Sequence, residues 1–427
     1  MTATGELPMT ATPEQPRSAT QPRAWLPVAA ALFGIGWGAN QITPMLLVYR
    51  HALGLGTGTL EAVFGVYALG LIPGLLIAGP LSDARGRRAV VVPAVAMSLV
   101  ASVLLTGATL SVVLLFAGRL LAGVSSGAAF GAGTAWLRET SLPPLGTASD
   151  HTAARRAAVA MTAGFALGPL VSGIVAQWAP SPTVLPYLPH LAVMAVVWVL
   201  LRRAPETVTA GRRRVPRLST PGLRSRRFRT VVAPMAPWVF AAPAIAFALL
   251  PSLAGAGQAA NGIALTAAIA ALCALAGILV QPLARRLDLR PGRNRAAAAG
   301  LLVLAAGLVL GAVTAQAREV WLLAPSAIVL GCAYGMCLVA GLVEVQRLAG
   351  SNGTAGLTAI YYALTYLGFA APYLIVLGTH LASYTVLLAV AALLALGTAA
   401  LITRTSASEQ EADEQTAEGA SRSQAAG

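Results

Sequence analysis

Lysine is absent from the 427 residues, so all 29 basic side chains other than histidine are arginines. Cysteine is scarce: Cys273, Cys332 and Cys337 stand alone in apolar stretches. They have no companions at metal-ligand spacing, so no metal site is expected and the thiols read as small packing residues. Charged residues make up only 10% of the chain, too few to cover a soluble domain of this length. No Walker loop is present, which excludes ATP as a driving force, and no enzyme motif or cofactor signature stands out. The arm before Trp25, rich in Thr, Pro and Ala, lacks the hydrophobic core of a signal peptide.

What is there is apolar. Hydrophobic residues reach 57% and mean hydropathy +0.73, which place the chain in a bilayer. A spanning helix needs about 20 mostly apolar residues. Twelve such stretches begin near Trp25, Leu60, Ala89, Val112, Ala157, Val184, Thr230, Ala260, Arg295, Val320, Thr354 and Leu381. The fold class expected is therefore an all-α membrane protein with 12 transmembrane helices. With both termini cytoplasmic, every arginine except Arg50, Arg119 and Arg318 falls on the cytoplasmic side, as the positive-inside bias requires. The net charge of +14 is then mainly a topology signal. Its dispersal over short loops, with no aromatic-studded patch, argues against nucleic acid as a partner. The run from Arg202 to Arg229 holds ten arginines and suits a linker along an anionic lipid surface. The divisions expected are a disordered arm (1–24), a first helical half (25–201), this linker (202–229), a second half (230–402) and a disordered acidic tail (403–427).

The turn after the second stretch reads Gly79-Pro-Leu81-Ser-Asp83-Ala-Arg85-Gly86-Arg87-Arg88. It resembles the signature loop of the major facilitator superfamily, G-x-L-x-D-x-x-G-R-R, at every listed position. The resemblance implies two pseudo-symmetric six-helix bundles and a conformational latch made by Gly79, Leu81, Asp83, Arg85, Gly86, Arg87 and Arg88. Glu139, Glu344 and Arg347 are partners expected for these arginines. The halves of the chain also echo each other. Gly123 and Gly127 in the fourth stretch align with Gly331 and Gly335 in the tenth, and Gly164-Phe-Ala-Leu-Gly168-Pro169 with Gly368-Phe-Ala-Ala-Pro372. Glycines four apart share a helix face and admit a close neighbour. Where the first half has Asp83 and Arg119, the second has Arg285 and Ala327.

Arg119 lies roughly 10 Å inside its span at about 1.5 Å per residue. A central arginine costs about 2.5 to 3.5 kcal/mol on insertion scales, so it should face protein or an aqueous cavity. Leu115-x-x-x-Arg119-x-x-x-Gly123 resembles the fourth-helix motif of proton-coupled facilitators, with Ala122 where the family has glutamine. Asn40, Gln41 and Thr43 lie at a similar depth and are expected to form a polar cluster with it. Glu61 is either a second proton carrier or a helix cap. His190 reads as a packed histidine ahead of a proton carrier. Gly164-x-x-x-Gly168-Pro169-x-x-x-Gly173, with Ser172 in place of one family glycine, resembles the antiporter motif of 12-helix drug/proton antiporters. That resemblance implies multidrug or antibiotic efflux coupled to protons, with a small amphiphilic cargo. The absence of an acid in the first stretch disfavours a strongly cationic one. Trp37, Asn40, Gln41, Trp238, Tyr334 and Tyr362 are the expected cavity residues, with Tyr67, Phe240, Tyr361 and Tyr366 as further aromatic candidates. Pro234, Pro237, Pro243 and Pro251 mark the seventh stretch as a gate. Alternatives are a metabolite or sugar uptake symporter or facilitator, and a non-transporting sensor or scaffold. A monomer in the plasma membrane is expected.

Overall fold

The computed structural model describes residues 23–208, 222–287, 294–349 and 354–425. Residues 1–22 of the arm, expected to be disordered, and residues 209–221 of the Arg-rich linker lie outside the described residues. The described chain is all-α and multi-pass, and ten of its helical segments are long and apolar enough to cross a membrane.

Two of the twelve expected spans fall short of a membrane-crossing helix, for local reasons. The first is divided into α1 (Leu26–Asn40) and α2 (Ile42–Leu53). Pro44 lacks the N–H that the Asn40 carbonyl would accept from and crowds that oxygen, so the helix changes phase at Gln41. The sixth shortens to a 3-10 turn and α7 (Leu188–Leu201), which begins only after Pro186 has interrupted the chain. Between them run α3 (Thr57–Arg85), α4 (Arg87–Thr106), α5 (Val112–Ser141) and α6 (Asp150–Trp178). Ser111 and Ser149 cap α5 and α6 by accepting from the amides of Val113 and Thr152 at 3.2 and 3.3 Å.

The second half opens with a span from Phe228 to Leu253. Its four prolines remove ladder donors, and the backbone answers with wide turns at Phe228–Val232 and Ile245–Leu249 around α8 (Ala233–Ala244), ending in α9 (Leu250–Leu253). There follow α10 (Gly262–Leu279), α11 (Gln281–Leu287), α12 (Arg295–Ala317) and α13 (Leu323–Ala349). The eleventh stretch is interrupted before Pro372: α14 (Thr354–Tyr366) and α15 (Ala371–Gly378) flank a 3-10 turn. The last helix, α16 (Tyr384–Ala425), runs on through the acidic tail that was expected to be irregular. No proline interrupts that tail, and Ala, Glu and Gln are good helix formers.

Small residues decide which helices touch. A Cβ on Gly123 or Gly127 of α5 would stand 2.1 or 2.2 Å from the carbonyl oxygens of Tyr67 and Leu71 in α3. In the second half, a Cβ on Gly331 or Gly335 of α13 would stand 2.3 or 2.0 Å from the carbonyl oxygens of Cys273 and Gly277 in α10. The same rule joins α6 to α1 and the eleventh stretch to α8. A Cβ on Gly164 or Gly168 would lie 2.1 or 2.6 Å from the carbonyl oxygens of Phe33 and Trp37, and one on Gly368 would lie 2.2 Å from that of Pro237. The echo seen in sequence is thus one packing scheme used twice.

Candidate functional site

Where the halves of the chain meet, mid-way along the helices, aromatic side chains crowd a narrow cavity of about 50 Å³. Its walls are Asn40 and Phe165 on one side, with Tyr67 of α3, and Phe240, Tyr334, Tyr366 and Phe369 on the other. Phe240 stacks on Tyr366 at 4.5 Å and on Phe369 at 5.2 Å between ring centroids. Phe64 and Tyr67 approach Phe369 edge-on at 5.2 and 5.8 Å, which ties the first half to the second. Organic ligands need several hundred Å³. A solute can enter only after these walls part.

Arg119 stands behind that wall and is 1% exposed. Its Nη1 donates to the Ala39 carbonyl at 3.0 Å and its Nη2 to that of Phe64 at 3.3 Å, while the guanidinium carbon lies 4.5 Å from the Tyr67 ring centre. The Nε of Arg119 is buried without a partner. Among the described residues, no carboxylate lies within ion-pair distance of it. The fixed carbonyl dipoles and the ring faces together replace a counter-ion.

The polar cluster expected on the first stretch is dispersed, since positions 40, 41 and 43 stand about 100° and 200° apart around a helix of 3.6 residues per turn. Asn40 lines the central cavity. Gln41 turns into the first half, donating to Ser102 Oγ at 2.9 Å, which in turn meets His190 Nδ1 at 2.8 Å. His190 Nε2 bonds the Gly34 carbonyl at 3.0 Å, so this histidine is a packed one. Thr43 faces a second, smaller cavity with Glu61. Of the other cavity candidates, Tyr334 is in the wall, whereas Trp37 packs against Phe33 at 5.7 Å and Tyr362 against Tyr361 at 5.9 Å. Trp238 donates to Thr398 Oγ1 at 3.2 Å, on the side of α8 that meets α16. Phe64, Phe247 and Phe369 were not foreseen, because a lone Phe in an apolar stretch looks like any packing residue.

At the α3–α4 turn, Arg87 gathers the signature loop. It donates to Asp83 Oδ1 at 2.5 Å, to Ser82 Oγ at 2.8 Å and to Glu139 Oε1 at 2.8 Å, as expected for Glu139. Gly86 has φ 104°, and a Cβ there would lie 2.6 Å from Glu206 Oε2. Only glycine permits that approach. Glu206 caps α4, accepting from the amides of Arg87 and Arg88, each at 2.9 Å. Its part was invisible in sequence, since it lies more than a hundred residues downstream with no motif around it. Arg88 reaches the carbonyls of Arg202 and Ala204 at 3.2 and 3.5 Å, Arg85 lines an open groove beside it, and Gly79 adjoins open space. Glu344 pairs with Arg347 at 3.5 Å and with Arg227, so it serves the second half and not the signature arginines.

At the opposite face, which carries the α2–α3 turn, the halves are joined. Gln177 of α6 donates to the Ala260 carbonyl at 2.9 Å and accepts from the amides of Ile263 and Ala264 at 3.1 and 3.2 Å. A Cβ on Gly173 would stand 2.4 Å from that of Ala267. The central site is shut on this face.

A multi-pass α-helical chain with a closed aromatic cavity between its halves and a buried cation in its first half has the frame of a membrane transporter. The sequence model of the Major Facilitator Superfamily matches residues 26–372, and the chain belongs to that superfamily. Among curated protein sequences, none matches it. The crystal structure of a POT family transporter in complex with 5-aminolevulinic acid is similar, with TM-score 0.72 and 14% identity over 91% of this chain and 96% of that one. A peptide transporter POT in complex with sulfate gives TM-score 0.71 and 16% identity over 90% and 95%. The nucleoside transporter NupG gives TM-score 0.66 and 13% identity over 89% and 98%.

The expectation of a drug-exporting antiporter, with its efflux and antibiotic-resistance roles, is corrected by these findings. The similar structures are of peptide and nucleoside transporters. The glycines that suggested the antiporter motif have another physical account. Gly164 and Gly168 let α6 lie on α1, and Gly173 lets it meet α10. Close packing of this kind carries no information about transport direction.

Proposed function

We propose that the chain is a proton-coupled uptake transporter for a small organic solute bearing a carboxylate or similar anionic group. It works by alternating access between two six-helix bundles, residues 25–201 and 230–402, joined by the Arg-rich linker 202–229 and crossing the plasma membrane twelve times as a monomer. The arginine distribution supports a cytoplasmic α3–α4 face and cytoplasmic termini. The face closed in this structure is then the external one.

The observation that carries the reading is Arg119, a buried guanidinium held by carbonyls and rings and lacking a carboxylate partner among the described residues. In a low-dielectric wall its charge favours an anionic group in the adjoining cavity and disfavours a cation. The stacked rings of Phe240, Tyr366 and Phe369 suit the apolar body of the same solute. A POT family transporter similar in fold was crystallised with 5-aminolevulinic acid, a carboxylate. Substrate and proton binding bias the bundles between inward and outward states. Asp83, Arg87 and Glu139, engaged within one bundle while the external face is closed, are the residues proposed to latch the cytoplasmic face when it shuts in turn.

The test is uptake by a transport-deficient bacterial host expressing the chain, across labelled amino-acid derivatives, dipeptides, nucleosides and hydrophobic cations. Accumulation of a carboxylate solute that a protonophore abolishes supports the reading. Accumulation confined to uncharged or cationic solutes, or insensitive to the protonophore, overturns it.

A further inference from the structure

Beneath the closed external face lies a second cavity, lined by Thr43, Leu47 and Arg50 of α2, Glu61 of α3, Ser252 of α9 and Thr266 of α10. Both halves of the chain wall it. Its volume is about 10 Å³, on the order of what one water molecule requires. Glu61 and Thr43 are 2% and 1% exposed, and two of their polar atoms, Oε2 of Glu61 and Oγ1 of Thr43, are buried without a partner. The other two hydroxyls are already committed: Ser252 to the Leu249 carbonyl at 2.8 Å and Thr266 to the Gly262 carbonyl at 2.9 Å.

The geometry points to a single-proton site on Glu61 that exists only while the two halves are joined at this face. A carboxylate anion enclosed among Leu46, Leu47, Leu60, Ala248 and Pro251 has an oxygen that nothing satisfies. A carboxylic acid has an O–H to donate and tolerates the enclosure, and Thr43 Oγ1 is an acceptor within the same cavity. Arg50 shares the cavity, but its Nη2 is directed to Thr57 Oγ1 at 2.5 Å. Tyr384 of α16 is the other titratable side chain in electrostatic reach of Glu61 and Arg50, and α9 and α10 contribute no ionisable group to the cavity wall. An alkali cation fits poorly, since it needs several oxygens around it and would share the cavity with a guanidinium. Loss of the proton restores the anion, which draws in water and parts the halves at this face. Proton occupancy and external closure are therefore one equilibrium. This rests on the transport reading and deepens it by naming the side chain that takes the coupling proton, and the test needs no substrate.

Two exposed residues on the external side, Leu110 after α4 and Leu381 before α16, are replaced by cysteine and spin-labelled in a full-length chain whose Cys273, Cys332 and Cys337 are replaced by alanine. Electron–electron distances are measured from pH 5 to pH 9. The expected result is a short, closed distance that gives way to a longer one as pH rises, with the steepness of one proton. Glu61→Gln, which keeps the shape and removes the charge, is expected to stay closed throughout. A distribution indifferent to pH overturns the site. So does unchanged pH dependence in Glu61→Gln, or closure at pH 9 restored by sodium ions. Failure of the substrate panel would leave these outcomes untouched.

Discussion

The two halves of the chain share a packing scheme and differ in what they bring to the centre. In the first half, α5 lies on α3 through Gly123 and Gly127, and the buried Arg119 sits one turn before them. In the second half, α13 lies on α10 through Gly331 and Gly335, and the equivalent of Arg119 is Ala327, buried and apolar. The first half also holds Glu61 beneath the face that carries the α2–α3 turn, while the second presents Phe240, Tyr334, Tyr366 and Phe369. Shared glycines specify the fold of each half. The unshared side chains divide the work, with charge carried by one half and most of the aromatic wall by the other.

The comparison breaks first at Arg119. Arg119→Ala is expected to lower substrate uptake at least 100-fold at unchanged membrane expression, whereas Ala327→Ser, the corresponding site, leaves it within twofold; initial uptake rates in proteoliposomes decide. Next come the shared glycines. Gly127→Leu and Gly335→Leu each force a side chain onto a carbonyl oxygen now within 2.2 Å of a Cβ position. Each is expected to destabilise by roughly 3 kcal/mol or more, read as a similar fall in the temperature of detergent-solubilised unfolding. If one half tolerates its substitution, the packing is not shared. A smaller effect belongs to the aromatic wall: Phe240→Ala should raise KM about tenfold, since a lost stacking partner and its buried area are together worth about 1.5 kcal/mol, with little change in maximal rate. The smallest is at the α3–α4 turn and its echo in the second half. Asp83→Asn weakens a partly exposed pair with Arg87, and Arg285→Ala at the echoing position removes an exposed charge. Surface pairs contribute about 0 to 1 kcal/mol, so both proteins should express and unfold like the parent. Only Asp83→Asn is expected to slow turnover.

Much of this architecture was readable in the chain. The paired glycines at four-residue spacing announced the helix contacts, since only a residue without a side chain lets two backbones approach, and the spacing places both on one face. The signature loop put Asp83, Gly86 and Arg87 in one turn, without saying which cation the carboxylate would take. What could not be read was which surroundings each helix face meets. Asn40, Gln41 and Thr43, about 100° and 200° apart around the helix, reach three different surroundings, although they are neighbours in sequence and similar in depth. Trp238 and Phe240 are two residues apart on α8, yet one faces Thr398 and the other the cavity. Glu206 caps a helix from far along the chain, a contact that local reasoning has no means to find. The antiporter resemblance misled for a related reason, because glycines keep space for a neighbour whatever the transported solute.

The most direct test of uptake by symport is the sign of a pH change. The chain is reconstituted into sealed liposomes containing a pH-sensitive dye, and the carboxylate solute identified in cells is added outside with no initial pH gradient. Symport predicts that the lumen acidifies as solute enters, and that Arg119→Ala abolishes the signal. A lumen that turns alkaline on addition would mean that protons leave as solute enters, which contradicts symport.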